Sequence, residues 1–415
     1  MVARGPGRGE PEPKPPSQPR YERLFSALFS QSLGALAFNT VGLLAGFVFA
    51  TFFGLFSRRA WSILAYPCVL TTRGMVGGIF CGRLTSGLWL GTIEPRLRGN
   101  TREFKGLYCS MMVLSALSAL MMSCSVSLYG LSLGVMGHDV PDIIVAMMAT
   151  MALAFLTASL ITVLVAFRSF ERGLDPDVVT YPVSSSSSDV IVTCCYTAVL
   201  ALMELELLGR PVVYLICLAF VVACALVAAR ERGDRVFRRT LKEALASSAI
   251  VVLISGLTGT ILNEINVAVG LGPGVCTAYP ALMGTVGDVG SIIGSTATTK
   301  LWSGEIEAKI GSIKEHKREV VAAWSASALM FSAYALVAAL PDFSSLPALM
   351  ATFLLANLMA VSLTVLLAFA ASVATYKHGL DPDNFVIPVE SSSADAITTL
   401  SLLLASTATL ALRVR

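Results

Sequence analysis

The residues with the clearest chemical potential are two aspartates, Asp189 and Asp395, each set in a long apolar stretch beside hydroxyl side chains. Each follows a Gly-Leu-Asp-Pro-Asp motif (Gly173–Asp177 and Gly379–Asp383) by thirteen or fourteen residues. On a helix rising 1.5 Å per residue, that spacing puts the carboxylate about 20 Å from the helix start, near the middle of a bilayer. Four residues before and after lie Ser185 and Thr193 in one copy, and Ser391 and Thr399 in the other. Positions four apart share a helix face, so each helix carries a stripe of one carboxylate flanked by hydroxyls. An ionised carboxylate at that depth costs several kcal/mol unless it meets water, a cation or a partner, so it marks an ion path by default. The bland alternative is a structural aspartate that is protonated or paired with arginine. Retention of the carboxylate in both copies weighs against it.

A third carboxylate, Asp288, is expected at similar depth in a helix rich in small residues (Gly287, Gly290, Ser291). The matching helix of the other copy has Gly74, Gly77 and Gly78, but Met75 where Asp288 would be. Small residues alone imply close helix packing. Asp288 shifts that helix towards cation handling and makes the site asymmetric. Arg73, Arg83 and Lys300 also fall within apolar spans. Arg83 is level with Asp189 and is expected either to pair with it, to face a helix interface or to snorkel outward. Glu94 and Glu307, which end these helices, read as solvated caps.

The elements that must position these groups are transmembrane helices. Only 14% of the 415 residues are charged and 55% are apolar, whereas a soluble domain needs about 25% charged. Eleven spans are expected: Phe25–Phe56, Trp61–Ile93, Leu107–Met136, Ile143–Phe167, Asp177–Leu208, Pro211–Ala229, Ala244–Val269, Val275–Trp302, Val320–Leu340, Leu346–Thr375 and Asp383–Leu412. Asp175 and Asp381 suit helix N-caps, with Pro176 and Pro382 at the first helical position. Pro182 and Pro388 are expected to kink their helices. Residues 1–22 form a Pro/Gly/Arg-rich tail that cannot bury a core and is expected to be disordered. Nine cysteines lie mostly singly in apolar runs and read as buried hydrophobes. The three histidines fall in expected loops, which argues against an imidazole metal site.

An internal repeat organises the spans. Tyr66–Glu94 aligns without gaps on Tyr279–Glu307 with thirteen of 29 positions identical, and Gly173–Ile191 on Gly379–Ile397 with twelve of 19. Each repeat holds five spans, an odd number, and the sixth span, between them, reverses the chain so that the repeats run parallel. The expected organisation is therefore an all-α polytopic membrane protein with a tail (1–22), transmembrane repeat 1 (23–209), a linking transmembrane helix (210–232) and repeat 2 (233–415). With the N-terminus cytoplasmic, twenty-two Lys/Arg fall on the inner side and five on the outer, which puts the C-terminus outside.

At these two blocks the chain resembles the membrane domain of the MgtE-type magnesium channels and their duplicated solute-carrier relatives. The residues that carry the resemblance are Pro67 and Gly74, Pro280 with Gly287-Asp288, Asp175-Pro176 with Pro182 and Asp189, and Asp381-Pro382 with Pro388 and Asp395. The resemblance implies that Asp189 and Asp395 are pore aspartates and that Asp288 is the pore-lining polar residue of the second helix. Met75 departs from the pattern in repeat 1.

The expected activity is transport of a divalent cation, Mg²⁺ foremost, between the two repeats, with no enzymatic role. Mg²⁺ prefers oxygen ligands and sheds water reluctantly, which suits carboxylates in a wet pathway. The metal-facing set is Asp189, Asp395, Asp288, Ser185, Ser391, Thr193 and Thr399. The partners expected are divalent cations and the lipid bilayer, with no nucleic acid. A monomer suffices, because the repeats supply an internal dimer. Two alternatives compete with this reading. A cation-coupled transporter of another solute would need recognition groups that the repeats lack. An intramembrane aspartyl protease is loosely suggested by Pro280-Ala281-Leu282 and Val286-Gly287-Asp288, but the motif order is reversed and the duplicated aspartate helix has no use there.

Overall fold

The computed structural model describes residues 21–173, 176–205, 207–378 and 382–413. Asp175 and Asp381, expected as caps, lie outside the described residues, as do the side chains of Pro182 and Pro388 and almost all of the N-terminal tail. The fold is an all-α polytopic membrane fold. Helix α1 (Tyr21–Ala37) passes through a 3-10 turn at Phe38–Val41 into α2 (Gly42–Thr51) and the single turn α3 (Phe53–Phe56). There follow α4 (Ala60–Trp89), α5 (Arg102–Gly130), α6 (Val140–Glu171), α7 (Pro176–Glu204) and α8 (Gly209–Glu231). The chain continues through α9 (Arg235–Ala268), α10 (Pro273–Trp302), α11 (Lys317–Ala338), α12 (Leu346–His378) and α13 (Pro382–Arg413).

Among the described residues, ten stretches are long and apolar enough to cross a membrane. The eleventh expected span, α10, is not one of them, because its 30 residues include Asp288, Lys300 and many glycines, serines and threonines. It tolerates that polarity because α2, α11, α12 and α13 enclose it. Helix α8 is the opposite case. Leu215, Leu218 and Leu226 are exposed along it, as befits a surface meant for lipid.

Local signals set the helix ends. Thr101 accepts a hydrogen bond from the Phe104 amide (3.3 Å) to start α5, and Asp234 accepts one from the Phe237 amide (3.0 Å) to start α9. Helices α4 and α10 stop in the same way. Gly91 and Gly304, matched positions of the repeat, take φ +69° and +74°, a left-handed conformation that glycine adopts without strain. Just before the first stop the Gly87 carbonyl accepts from the Thr92 amide, and before the second the Lys300 carbonyl accepts from the Glu305 amide.

The first helices are exchanged between the two halves of the chain. Helix α9 packs on α4 and α5, whereas α1 and α2 pack on α11 and α10. Glycine permits the closest of these approaches. A β-carbon on Gly46 would collide with the Thr277 carbonyl, and one on Gly259 with the Leu64 carbonyl. Gly46 and Gly259 are separated by the same interval as Leu64 and Thr277, so the crossing is built twice.

Candidate cation site

Helices α4, α5, α7, α9, α10 and α13 surround a cavity of about 1080 Å³. It follows α4 from Leu70 and Thr71 to Gly87, roughly 26 Å of helical rise, and continues to the turn at Leu90 and Ile93. Its inner end holds Asp189, Ser185, Asp395 and Ser391, and its outer end is lined by Glu103, Arg239 and Glu243. Gly74, Gly78 and Gly82 form one wall. A β-carbon at Gly74 or Gly82 would meet nothing within 4 Å. The expected role of Gly74 in close packing is therefore corrected: it gives width to the cavity. The small residues of α10 do pack, Gly287 against Ser391 and Gly290 against Glu390.

The two aspartates are held differently. Thr71 of α4 donates a hydrogen bond to Asp395 Oδ2 at 2.6 Å, and Asp395 is only 8% exposed. The repeat places Gly284 where Thr71 would serve Asp189, so Asp189 receives no matching hydroxyl. Asp288 does not line the cavity. Its Oδ2 accepts a 2.7 Å hydrogen bond from Asn39 Nδ2, in the 3-10 turn after α1. Asp288 and Asp395 nevertheless both lie within electrostatic reach of Asp189.

Four of the seven expected cation-facing residues thus meet in one cavity, and three stand apart. Thr193 and Thr399 are buried and engaged elsewhere. The Tyr66 hydroxyl lies 3.1 Å from Thr193 Oγ1, and the Tyr279 hydroxyl 2.9 Å from Thr399 Oγ1. These matched pairs sit one helical turn beyond the aspartates, on the side away from the cavity. The rings of Tyr66 and Tyr279 lie 6.4 Å apart, and Phe49 stacks on Tyr66 at 4.3 Å. An aromatic layer therefore backs the carboxylates.

The basic residues within the spans are also accounted for. Arg83 does not pair with Asp189; its guanidinium donates to Thr240 and to Glu243 of α9, the latter at 2.6 Å. Lys300 pairs with Glu319 at 2.6 Å. Glu94 pairs with Arg96, and Glu307 with Lys309, both near the surface. Arg73 is the cation nearest in influence to Asp189. Sequence reasoning missed Thr71, Asn39, the two tyrosines and Glu390. Of these, Glu390 carried a visible signal, a carboxylate interrupting the serine tract exactly where the first repeat has Ser184.

Among known families, the model described as "MgtE: Divalent cation transporter" matches residues 66–199 and 279–405, together more than half of the chain. No curated protein and no solved structure matches the chain. The two matched regions correspond to α4–α7 and α10–α13 and fit an internal repeat.

Proposed function

The chain belongs to the MgtE family of divalent cation transporters, and we propose that it moves Mg²⁺ along a pathway between its two repeats, past Asp189 and Asp395. The observation that carries this reading is the cavity that ends on both aspartates and on Ser185 and Ser391. A cavity of that size admits an ion with part of its water shell. Mg²⁺ keeps several waters and needs only one or two carboxylates to hold it, so a wide oxygen-lined site suits it better than a tight cage. Thr71 fixes Asp395 as an anchor, and Asp189 is left to follow the ion. Asp288, held by Asn39, adds negative potential from the side.

In this reading the repeats run parallel about a twofold axis between the aspartates. The cavity opens to the cytoplasm, the side on which the basic loops fall, with the N-terminus inside and the C-terminus outside. The tyrosine layer closes the outward side. Both repeats sit in one chain, so a monomer completes the site.

The test is Mg²⁺ flux in vesicles containing the purified protein. Asp189→Asn combined with Asp395→Asn should abolish flux while leaving the protein folded. Flux that survives the double substitution would overturn the site.

A further inference from the structure

Helix α9 opens with four cations, Arg235, Arg238, Arg239 and Lys242, spaced three and four residues apart. At 3.6 residues per turn they fall within about a third of the helix circumference. All four are exposed. Arg239 pairs with Glu243 at 2.8 Å, and among the described residues no carboxylate lies within 4 Å of the other three. The acids that precede the helix are turned inward. Glu231 and Asp234 are buried and engaged by Lys105 at 2.8 Å and by Arg102 at 3.2 Å. Asp234 also caps the first turn through the Phe237 amide, so the charge left facing outward is that of the side chains.

The same face continues along α9 as an apolar stripe. Ile250, Leu253 and Leu257 follow the cations at helical spacing and are exposed. Water alone would solvate the cations but not this stripe. A face that is cationic at the membrane edge and apolar below it suits a phospholipid, with an anionic headgroup above and acyl chains beneath. The cations also border the cavity, since Arg239 stands in its wall at the outer end. Within that wall Arg83 and Arg239 are matched by Glu103 and Glu243, so the unmatched charge there belongs to Arg235, Arg238 and Lys242. The other copy lacks the feature, because α1 carries Glu22, Phe25, Ser26 and Phe29 at the corresponding positions.

We propose that this face of α9 binds an anionic phospholipid, its phosphate held by Arg235, Arg238 and Lys242 and its chains laid along Ile250, Leu253 and Leu257. The consequence for transport rests on the proposed Mg²⁺ pathway. Three uncompensated cations beside the cavity entrance repel an arriving divalent cation, and a bound headgroup offsets them. Lipid binding itself does not depend on that pathway.

The experiment is native mass spectrometry of the full-length protein in detergent, titrated with phosphatidylglycerol or with phosphatidylcholine as the neutral comparison. Wild type should retain phosphatidylglycerol in preference. Arg238→Gln combined with Lys242→Gln should weaken that binding roughly thirtyfold. Lys314→Gln combined with Lys317→Gln removes equal charge from another loop and should leave it unchanged. Should the Arg238/Lys242 variant not fold, glycerol phosphate decides the matter on wild type, since a headgroup without chains should not displace the lipid. In vesicles, adding phosphatidylglycerol to phosphatidylcholine should raise wild-type Mg²⁺ flux several-fold at low Mg²⁺, with the gain closing at saturation, and the Arg238/Lys242 variant should gain less. Asp189→Asn combined with Asp395→Asn should lose flux yet bind phosphatidylglycerol as wild type does, so the two assignments fail independently. Equal retention of both lipids, undiminished binding in the Arg238/Lys242 variant, equal loss in the Lys314/Lys317 variant, or displacement by glycerol phosphate would overturn the proposal. Intact binding with the same flux gain in wild type and the Arg238/Lys242 variant would overturn its part in transport.

Discussion

Thr71 and Gly284 occupy the same place in the two copies, yet only Thr71 can donate to a carboxylate. That single hydroxyl holds Asp395 by a hydrogen bond that the repeat does not reproduce at Asp189. A hydrogen bond to a charged group contributes about 1.5 kcal/mol, roughly tenfold in binding. Thr71→Val should therefore weaken the apparent Mg²⁺ affinity about tenfold, read from the concentration dependence of flux in vesicles, and Thr71→Ser should restore it. Arg83 stands in the cavity wall, in contact with Thr240 and Glu243. Its ion pair with Glu243 is partly exposed, so Arg83→Gln should cost less than about 1 kcal/mol of stability. Removing its charge from the cavity wall should speed Mg²⁺ entry at low ionic strength, and the gain should fade in high salt. Neither the depth nor the partner of Arg83 was legible: expected level with Asp189, it lies twelve residues along α4 from Thr71 and pairs with Glu243 at the outer end of the cavity. Counting residues along each helix fixes neither the offset between two helices nor which helix packs alongside. The aspartates were legible because both the repeat and their cost in a membrane point to them. Asn39 and Thr71 were not, since isolated polar residues in apolar runs look alike until a neighbouring helix brings a carboxylate to them.

Helix positions followed closely from hydropathy and caps, with boundaries shifted by a few residues as turns extended into the loops. The loop after α8 illustrates why. Asp234 caps α9 through the Phe237 amide and also accepts from Arg102 at 3.2 Å, so the helix begins well before its apolar stretch. The Phe237 amide, with Arg102 beside it, holds the Asp234 carboxyl below its ordinary range. Its folded value is depressed, so its contribution is complete above the unfolded value near 4 and is lost as pH falls through the folded value. Asp234→Ala should lower stability by about 1 kcal/mol at neutral pH, and the difference from wild type should shrink in unfolding measured below pH 4. The helix crossings were less legible, because hydropathy does not report which helices touch. Gly46→Ala and Gly259→Ala each force a methyl group into a backbone carbonyl across the exchanged interface. Each should cost about 1–3 kcal/mol, and similar losses in thermal unfolding would show that the two crossings are equivalent.

At the scale of the whole molecule, each half supplies the first helix of the other, so neither surrounds its own second helix. Fragments 1–232 and 233–415 made separately should be unstable, whereas co-expression should restore an assembly with Mg²⁺ flux, assayed by co-purification and vesicle transport. Flux from one fragment alone would contradict the exchanged arrangement. The same exchange bears on biosynthesis. As the chain leaves the ribosome, α1 and α2 enter the membrane long before α10 and α11, their packing partners, have been made. In that interval Asn39 has no Asp288 to meet, and the narrow face at Gly46 has no backbone to press against. Helices made before their partners are thus seated after them, and the membrane must shelter a polar, unfinished surface until the second half arrives to claim it.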